Sequence, residues 1–155
     1  MTPVRLVGVL GAGAAEPPLY GASVELGRAI AGRGWWLVCG GLGGVMEAVC
    51  RGAREAGGHT VGLLPGLSRK DANRWVEVPI VTGMADARNA IIARSAHACI
   101  ALPGSHGTLS EIAFCLKFGT PVVGLEPPDC GIVPHAGISR VASAAQACDW
   151  VSSTL

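Results

Sequence analysis

The feature that most constrains this chain is a set of short apolar runs that never alternate with polar residues. Val7-Gly8-Val9-Leu10, Leu37-Val38-Cys39, Ala98-Cys99-Ile100-Ala101 and Val122-Val123-Gly124-Leu125 are of this kind. A strand with one face in water alternates; a strand without alternation is buried on both faces, which means a parallel sheet covered by helices. Half of the 155 residues are apolar and only 15% are charged, so much of the chain must be buried. The length suits one domain, 1–155.

The punctuation between the runs agrees with this. Strands are expected over 4–10, 35–39, 59–64, 75–80, 97–102, 122–125 and about 138–141. Helices are expected over 19–33, 46–56, 86–96, 106–118 and from Ser143, a plausible N-cap, to the end. Residues 65–74 and 126–135 read as loops. Strands alternating with helices of this length predict an α/β, doubly wound, Rossmann-like parallel sheet of six or seven strands with helices on both faces. Such sheets bind ligands outside the carboxyl ends of their strands, where the strand order switches direction.

Two glycine loops fall at those ends. Pro103-Gly104-Ser105-His106-Gly107-Thr108 follows the run at 98–101 and opens a helix carrying Glu111. Gly40-Gly41-Leu42-Gly43-Gly44 follows Cys39 and opens another. The first turn of a helix has backbone N–H groups without intrahelical partners and a positive dipole end, so it attracts anions. Glycines let the backbone approach a phosphate closely. Gly11-Ala12-Gly13 is a third, weaker candidate of the same kind. Together the loops predict a phosphate held by Gly104, Ser105, His106, Gly107 and Thr108, with Gly40, Gly41, Gly43 and Gly44 lining the other side of one cleft and Gly11 and Gly13 nearby. Glu111 is out of place beside an anion unless it has a job of its own: chemistry, a sugar hydroxyl, or a capping contact.

Several classes are excluded. A formal net charge of +1 gives no electrostatic case for nucleic acid or an acidic membrane. No uncharged apolar stretch is long enough to span a bilayer once the glycine loops are discounted. Residues 6–15 are faintly like a signal core but read better as the first strand and its turn. The six cysteines show no C-x-x-C pair, and His59, His97 and His135 have no metal-ligand spacing. No metal is expected, and the thiols read as reduced and buried in a cytoplasmic protein. A dinucleotide oxidoreductase is disfavoured because Glu16 stands where a third glycine would be. Scarce charge points to a homo-oligomer, dimer or tetramer, with the helix over 83–96 as one contact face.

Gly40 to Met46, Arg88, and Pro103 to Glu111 together resemble the LOG ("lonely guy") family, long mislabelled lysine decarboxylase, which includes phosphoribohydrolases that release a base from a nucleoside 5′-monophosphate. The resemblance covers about residues 4–125. It is closer still to a sibling branch that includes molybdenum cofactor carrier proteins, through Gly43–Ala48, Thr82–Asn89 and Gly107–Ile112. It implies that Arg88 and Glu111 are catalytic if the protein is an enzyme, with Glu111 as general acid/base or oxocarbenium stabiliser. It also implies that Arg88 and Asn89 line the phosphate site. Three departures stand out: Cys39 replaces the first glycine of GGGxxG, Asn89 replaces the lysine after the arginine, and Ser105 replaces the second glycine of PGG. They weaken the implication of hydrolysis more than that of phosphate binding.

Two readings follow. One is a carrier or binding protein for a nucleotide or a molybdopterin-type cofactor, requiring no cofactor of its own. The other is a nucleoside-monophosphate phosphoribohydrolase. Lysine decarboxylation is rejected, because Lys70 and Lys117 are the only lysines and neither lies in a motif suited to a pyridoxal-phosphate Schiff base.

Overall fold

The computed structural model describes residues 1–155 and contains one seven-stranded, wholly parallel sheet. In chain order the elements are β1 (Leu6–Leu10), α1 (Pro17–Gly32), β2 (Trp36–Cys39), α2 (Val45–Glu55), β3 (Thr60–Leu64), β4 (Val78–Val81), α3 (Arg88–Ser95), β5 (Ala98–Ala101), α4 (His106–Phe118), β6 (Val122–Leu125), β7 (Arg140–Val141) and α5 (Ala144–Thr154). The strand order is β4-β3-β2-β1-β5-β6-β7. The chain therefore winds outward from β1 to β4, returns to the other side of β1, and winds outward again. The direction reverses between β1 and β5, and a crevice opens there at the carboxyl ends.

The unalternating strands are covered as their composition demands. β5 and β6 are buried along their whole length. On one face, Val7, Val9, Leu37, Ile100 and Val123 pack under α1, α2 and α5. On the other, Leu10, Val38, Cys99 and Ala101 pack under α3 and α4. The side chains of successive residues thus divide between the two layers, as the pleat requires.

The layer of α1 and α2 depends on small residues at the crossing. A Cβ on Gly52 would run into the Val24 carbonyl, and one on Gly27 into the Val49 carbonyl. Both obstacles are backbone, so no rotamer change relieves them. We expect Gly52→Ala to push the helices apart and cost about 2 kcal/mol, seen as a fall of roughly 6 °C in thermal midpoint. An unchanged midpoint would contradict the close crossing.

Two expected elements differ. The helix expected over 86–96 begins at Arg88; residues Ala85–Ala87 form a 3-10 turn in which Ala85 has a left-handed φ of 50°. The strand expected over 75–80 lies at Val78–Val81, because the Trp75 N–H is held by the Asn73 side chain 2.9 Å away in a local turn. Trp75 itself packs against the core beneath α1 and α2. No helix is long and apolar enough to cross a membrane.

Candidate phosphate-binding cleft

A cleft of about 170 Å³ lies over the carboxyl ends of β1 and β5. Gly11, Ala12 and Gly13 of the β1–α1 turn line one side. Ser105 at the N-cap of α4 lines another with Gly107, Thr108 and Glu111 of that helix, and Asp86 of the turn before α3 closes it with Arg88 and Asn89, Met46 completing the wall.

The first turn of α4 presents an open helix end. Its N-cap, Ser105, makes no side-chain capping bond, and no acidic residue occupies the turn. The N–H groups of residues 106–108 therefore point, without intrahelical partners, at the mouth of the cleft. Thr108 is buried at 2% exposure. Gly104 must be glycine here, since a Cβ would collide with Thr108 Oγ1.

The other glycine loop does something else. Val45 N–H, the first of α2, donates to the Ala12 carbonyl at 2.9 Å, so the leading N–H of this helix is taken up by the β1–α1 turn. Ala12 N–H in turn donates to the Pro103 carbonyl at 3.2 Å. One residue thereby ties all three loops together. Gly44 adopts φ 63°, and a Cβ there would strike the Ala12 carbonyl. A Cβ at Gly40 would meet the Arg88 guanidinium and Met46 Sδ. Gly40, Gly41, Gly43 and Gly44, expected on the opposite wall, lie just behind it, while Gly11–Gly13 and Met46 form its surface. Gly104 and His106 also lie off the lining, with His106 exposed to solvent.

Arg88 is the buried cation of the site, at 8% exposure. Its Nη1 donates to Asn89 Oδ1, and its Nη2 to the Gly40 carbonyl at 3.5 Å. Its Nε is buried with no partner at all. A buried, unpaired donor on a charged group is costly and rare, and it leaves Arg88 with a hydrogen bond unmet at the cleft. Asn89 passes the arrangement on: its Nδ2 donates to Ser110 Oγ at 3.1 Å, and Ser110 Oγ donates to the Gly107 carbonyl at 2.7 Å. The start of α3 is thus fastened to the open end of α4.

Glu111 is 7% exposed. Burial pushes its carboxyl up to about 8, and the Arg88 guanidinium partly opposes the rise. At neutral pH it is a neutral acid, able to donate a proton or a hydrogen bond beside an anion without repelling it. A neutral carboxyl removes the repulsion that an ionised glutamate would exert on an anion there. Of the expected residues, the fold brings Gly11, Gly13, Arg88, Asn89, Ser105, Gly107, Thr108 and Glu111 to one cleft. Ala12 and Met46 were not among them; Ala12 sits between two flagged glycines, whereas nothing in the sequence marks Met46 as a lining residue.

The chain is similar to known proteins along most of its length. The model of the SLOG cluster4 family (LDcluster4) matches residues 4–149. An uncharacterized protein of Archaeoglobus fulgidus is 45% identical over 123 residues, covering 79% of this chain and 80% of that protein. A cytokinin riboside 5′-monophosphate phosphoribohydrolase of Mycobacterium tuberculosis is 45% identical over 94 residues, which is 58% of this chain and half the length of that protein. Among solved structures, the molybdenum cofactor binding protein of Rippkaea orientalis superposes with a TM-score of 0.89 at 31% identity, covering 99% of this chain and 98% of the other. The Moco carrier protein of Chlamydomonas reinhardtii gives 0.84 at 34%, covering 98% of each.

Proposed function

The chain belongs to the SLOG cluster4 family, and from that premise we propose that it binds the phosphate group of a nucleotide or a molybdopterin-type cofactor in the cleft between Gly11–Gly13 and the start of α4. The observation that carries this reading is the Arg88 Nε, buried and unpartnered beside an uncapped helix N-terminus. Backbone N–H groups of residues 106–108, the Thr108 hydroxyl and the Arg88 fork supply donors to the phosphate, and neutral Glu111 adds one more. The likeness over nearly the whole chain to two molybdenum cofactor binding proteins supports a carrier. Asn89 supports it too, since it places a neutral amide where the LOG pattern has lysine.

A second reading has its own support. Glu111, held neutral next to Arg88, is poised as the general acid for N-glycosidic cleavage of a nucleoside 5′-monophosphate. The sequence likeness to a phosphoribohydrolase supports that chemistry. Incubation with a panel of nucleoside 5′-monophosphates separates the two. A carrier binds and releases them intact; a hydrolase liberates ribose 5-phosphate. Failure of every phosphorylated compound to bind would overturn both.

We also propose that the protein works in the cytoplasm as a homo-oligomer. Val78, Ile80 and Val81 on the edge strand β4, with Leu67 and Met84 beside them, are exposed apolar side chains at one end of the sheet. Sedimentation at micromolar concentration is expected to give a dimer or larger; a single species of 15.7 kDa would contradict it.

A further inference from the structure

The thiols of Cys39 and Cys50 face each other behind the cleft. Cys39 ends β2 and Cys50 lies on α2, and their sulfurs are 3.5 Å apart, both fully buried. Cys39 Sγ also accepts the Gly41 N–H at 3.4 Å and reaches the Met46 carbonyl at 3.9 Å. The pair therefore brackets the loop at 40–44, the same loop whose Gly40 carbonyl receives Arg88 and whose near neighbour Met46 lines the cleft.

We propose that Cys39 and Cys50 are a redox modification site: a two-electron oxidant such as hydrogen peroxide converts them to a reversible disulfide, and the bridge weakens anion binding in the cleft. The contact with Cys50 and the Gly41 N–H, which donates to Cys39 Sγ and not to Cys50, favour the ionised form of Cys39, while the contact with Cys39 and burial push the Cys50 thiol up. Cys39 is thus the attacking sulfur. Its thiolate attacks one peroxide oxygen, the O–O bond breaks, and a sulfenic acid and one water result. The Cys50 sulfur then attacks the sulfenic sulfur; the S–S bond forms, the hydroxyl leaves, and it takes the Cys50 proton as the second water. Two thiols lose two electrons and two protons, and the peroxide gains them.

The structural consequence follows from what Cys39 now holds. The sulfurs must close to about 2 Å for the bond, which draws Cys39 Sγ away from Gly41 and Met46. The loop beneath Arg88 then loses two of its contacts, while Asn73 still holds the Gly41 and Leu42 carbonyls, and the Gly40 carbonyl that receives the guanidinium shifts. This regulatory part rests on the reading of the cleft as a phosphate site; formation of the bridge does not.

Trypsin separates the relevant cysteines. Residues 34–51 contain Cys39 and Cys50, residues 95–117 contain Cys99 and Cys115, and residues 118–140 contain only Cys130. The protein is treated with hydrogen peroxide until Cys130 is oxidised, denatured in N-ethylmaleimide and digested. Peptide 34–51 is expected about 2 Da lighter and unalkylated, and dithiothreitol applied before alkylation should restore both thiols. Two alkylatable thiols in 34–51 after peroxide would overturn the proposal. Titration with adenosine 5′-monophosphate then reads the regulation. Oxidised wild type should bind about fivefold more weakly, the change expected from one lost hydrogen bond. Dithiothreitol should reverse it, and the double variant Cys39→Ala, Cys50→Ala should bind equally before and after peroxide. A bridge that leaves the affinity unchanged would overturn the regulatory part alone. Should the nucleotide bind neither form, the phosphate reading of the cleft falls and takes that part with it, while the bridge still stands or falls on the peptide mass.

Discussion

Glu111→Gln should make thermal stability nearly flat across about pH 5–8, a range over which the wild type loses stability as the pH rises. The folded carboxyl titrates at about 8 because burial disfavours its charge, whereas an unfolded glutamate titrates near pH ~4.3. Between those values the folded protein keeps a proton that the unfolded chain has released, so raising the pH favours unfolding. The contribution is intact below the unfolded value, shrinks through the interval, and is gone above about 8. Each tenfold difference in proton affinity between the two states is worth roughly 1.4 kcal/mol, so the full effect is of order 3–5 kcal/mol, near 10 °C in a domain of this size. Glutamine copies the neutral acid and carries no such penalty. Melting curves at several pH values on both proteins measure it; a wild type as flat as the variant would contradict the buried neutral acid. The same substitution bears on function. Phosphate binding to the wild type should weaken as Glu111 ionises, and binding to the variant should not. If the protein hydrolyses nucleoside monophosphates, turnover in the variant should fall about 100-fold or more with binding kept, because glutamine cannot give up a proton.

Arg88→Ala should weaken binding of adenosine 5′-monophosphate by about 10- to 150-fold, or 1.5–3 kcal/mol. The guanidinium is nearly buried, is anchored on one side by Asn89 and Gly40, and has its Nε unsatisfied. Truncation removes a charge-assisted donor and also the contact that links α3 to the Gly40 carbonyl. Arg88→Lys should recover little, since an ammonium lacks the planar fork and cannot hold Asn89, the Gly40 carbonyl and an anion at once. Titration calorimetry on the three proteins reads the effect. An affinity within twofold of wild type for Arg88→Ala would remove the residue from the site.

The sheet was legible because its strands are apolar without interruption. Runs such as Ala98–Ala101 and Val122–Leu125 have no polar face to offer water, and only a doubly covered parallel sheet accommodates them. The α4 half of the site was legible for a related reason: a glycine loop between such a strand and a helix leaves N–H groups at a sheet's carboxyl end. The α2 half was not, although its sequence looks alike. Whether a helix's first N–H is free depends on a distant partner, and Val45 finds one in the Ala12 carbonyl, a contact between residues 33 positions apart. Local pattern also misplaced the start of α3. Asp86 and Ala87 suit a helix, but Ala85 adopts a left-handed φ and turns the chain before Arg88. That turn is what sets Arg88 and Asn89 facing the cleft. The ionisation of Glu111 lay wholly outside the sequence, since it comes from burial that only the packed fold creates.

Everything proposed for the cleft depends on one anion site between the β1–α1 turn and the open end of α4. A crystal structure of the protein grown with adenosine 5′-monophosphate decides whether it exists. Density for the phosphate is expected within hydrogen-bonding distance of the N–H groups of residues 106–108 and of the Arg88 Nε, with Glu111 beside the sugar. A phosphate bound elsewhere, with Arg88 Nε still unpartnered in the occupied protein, would contradict the site.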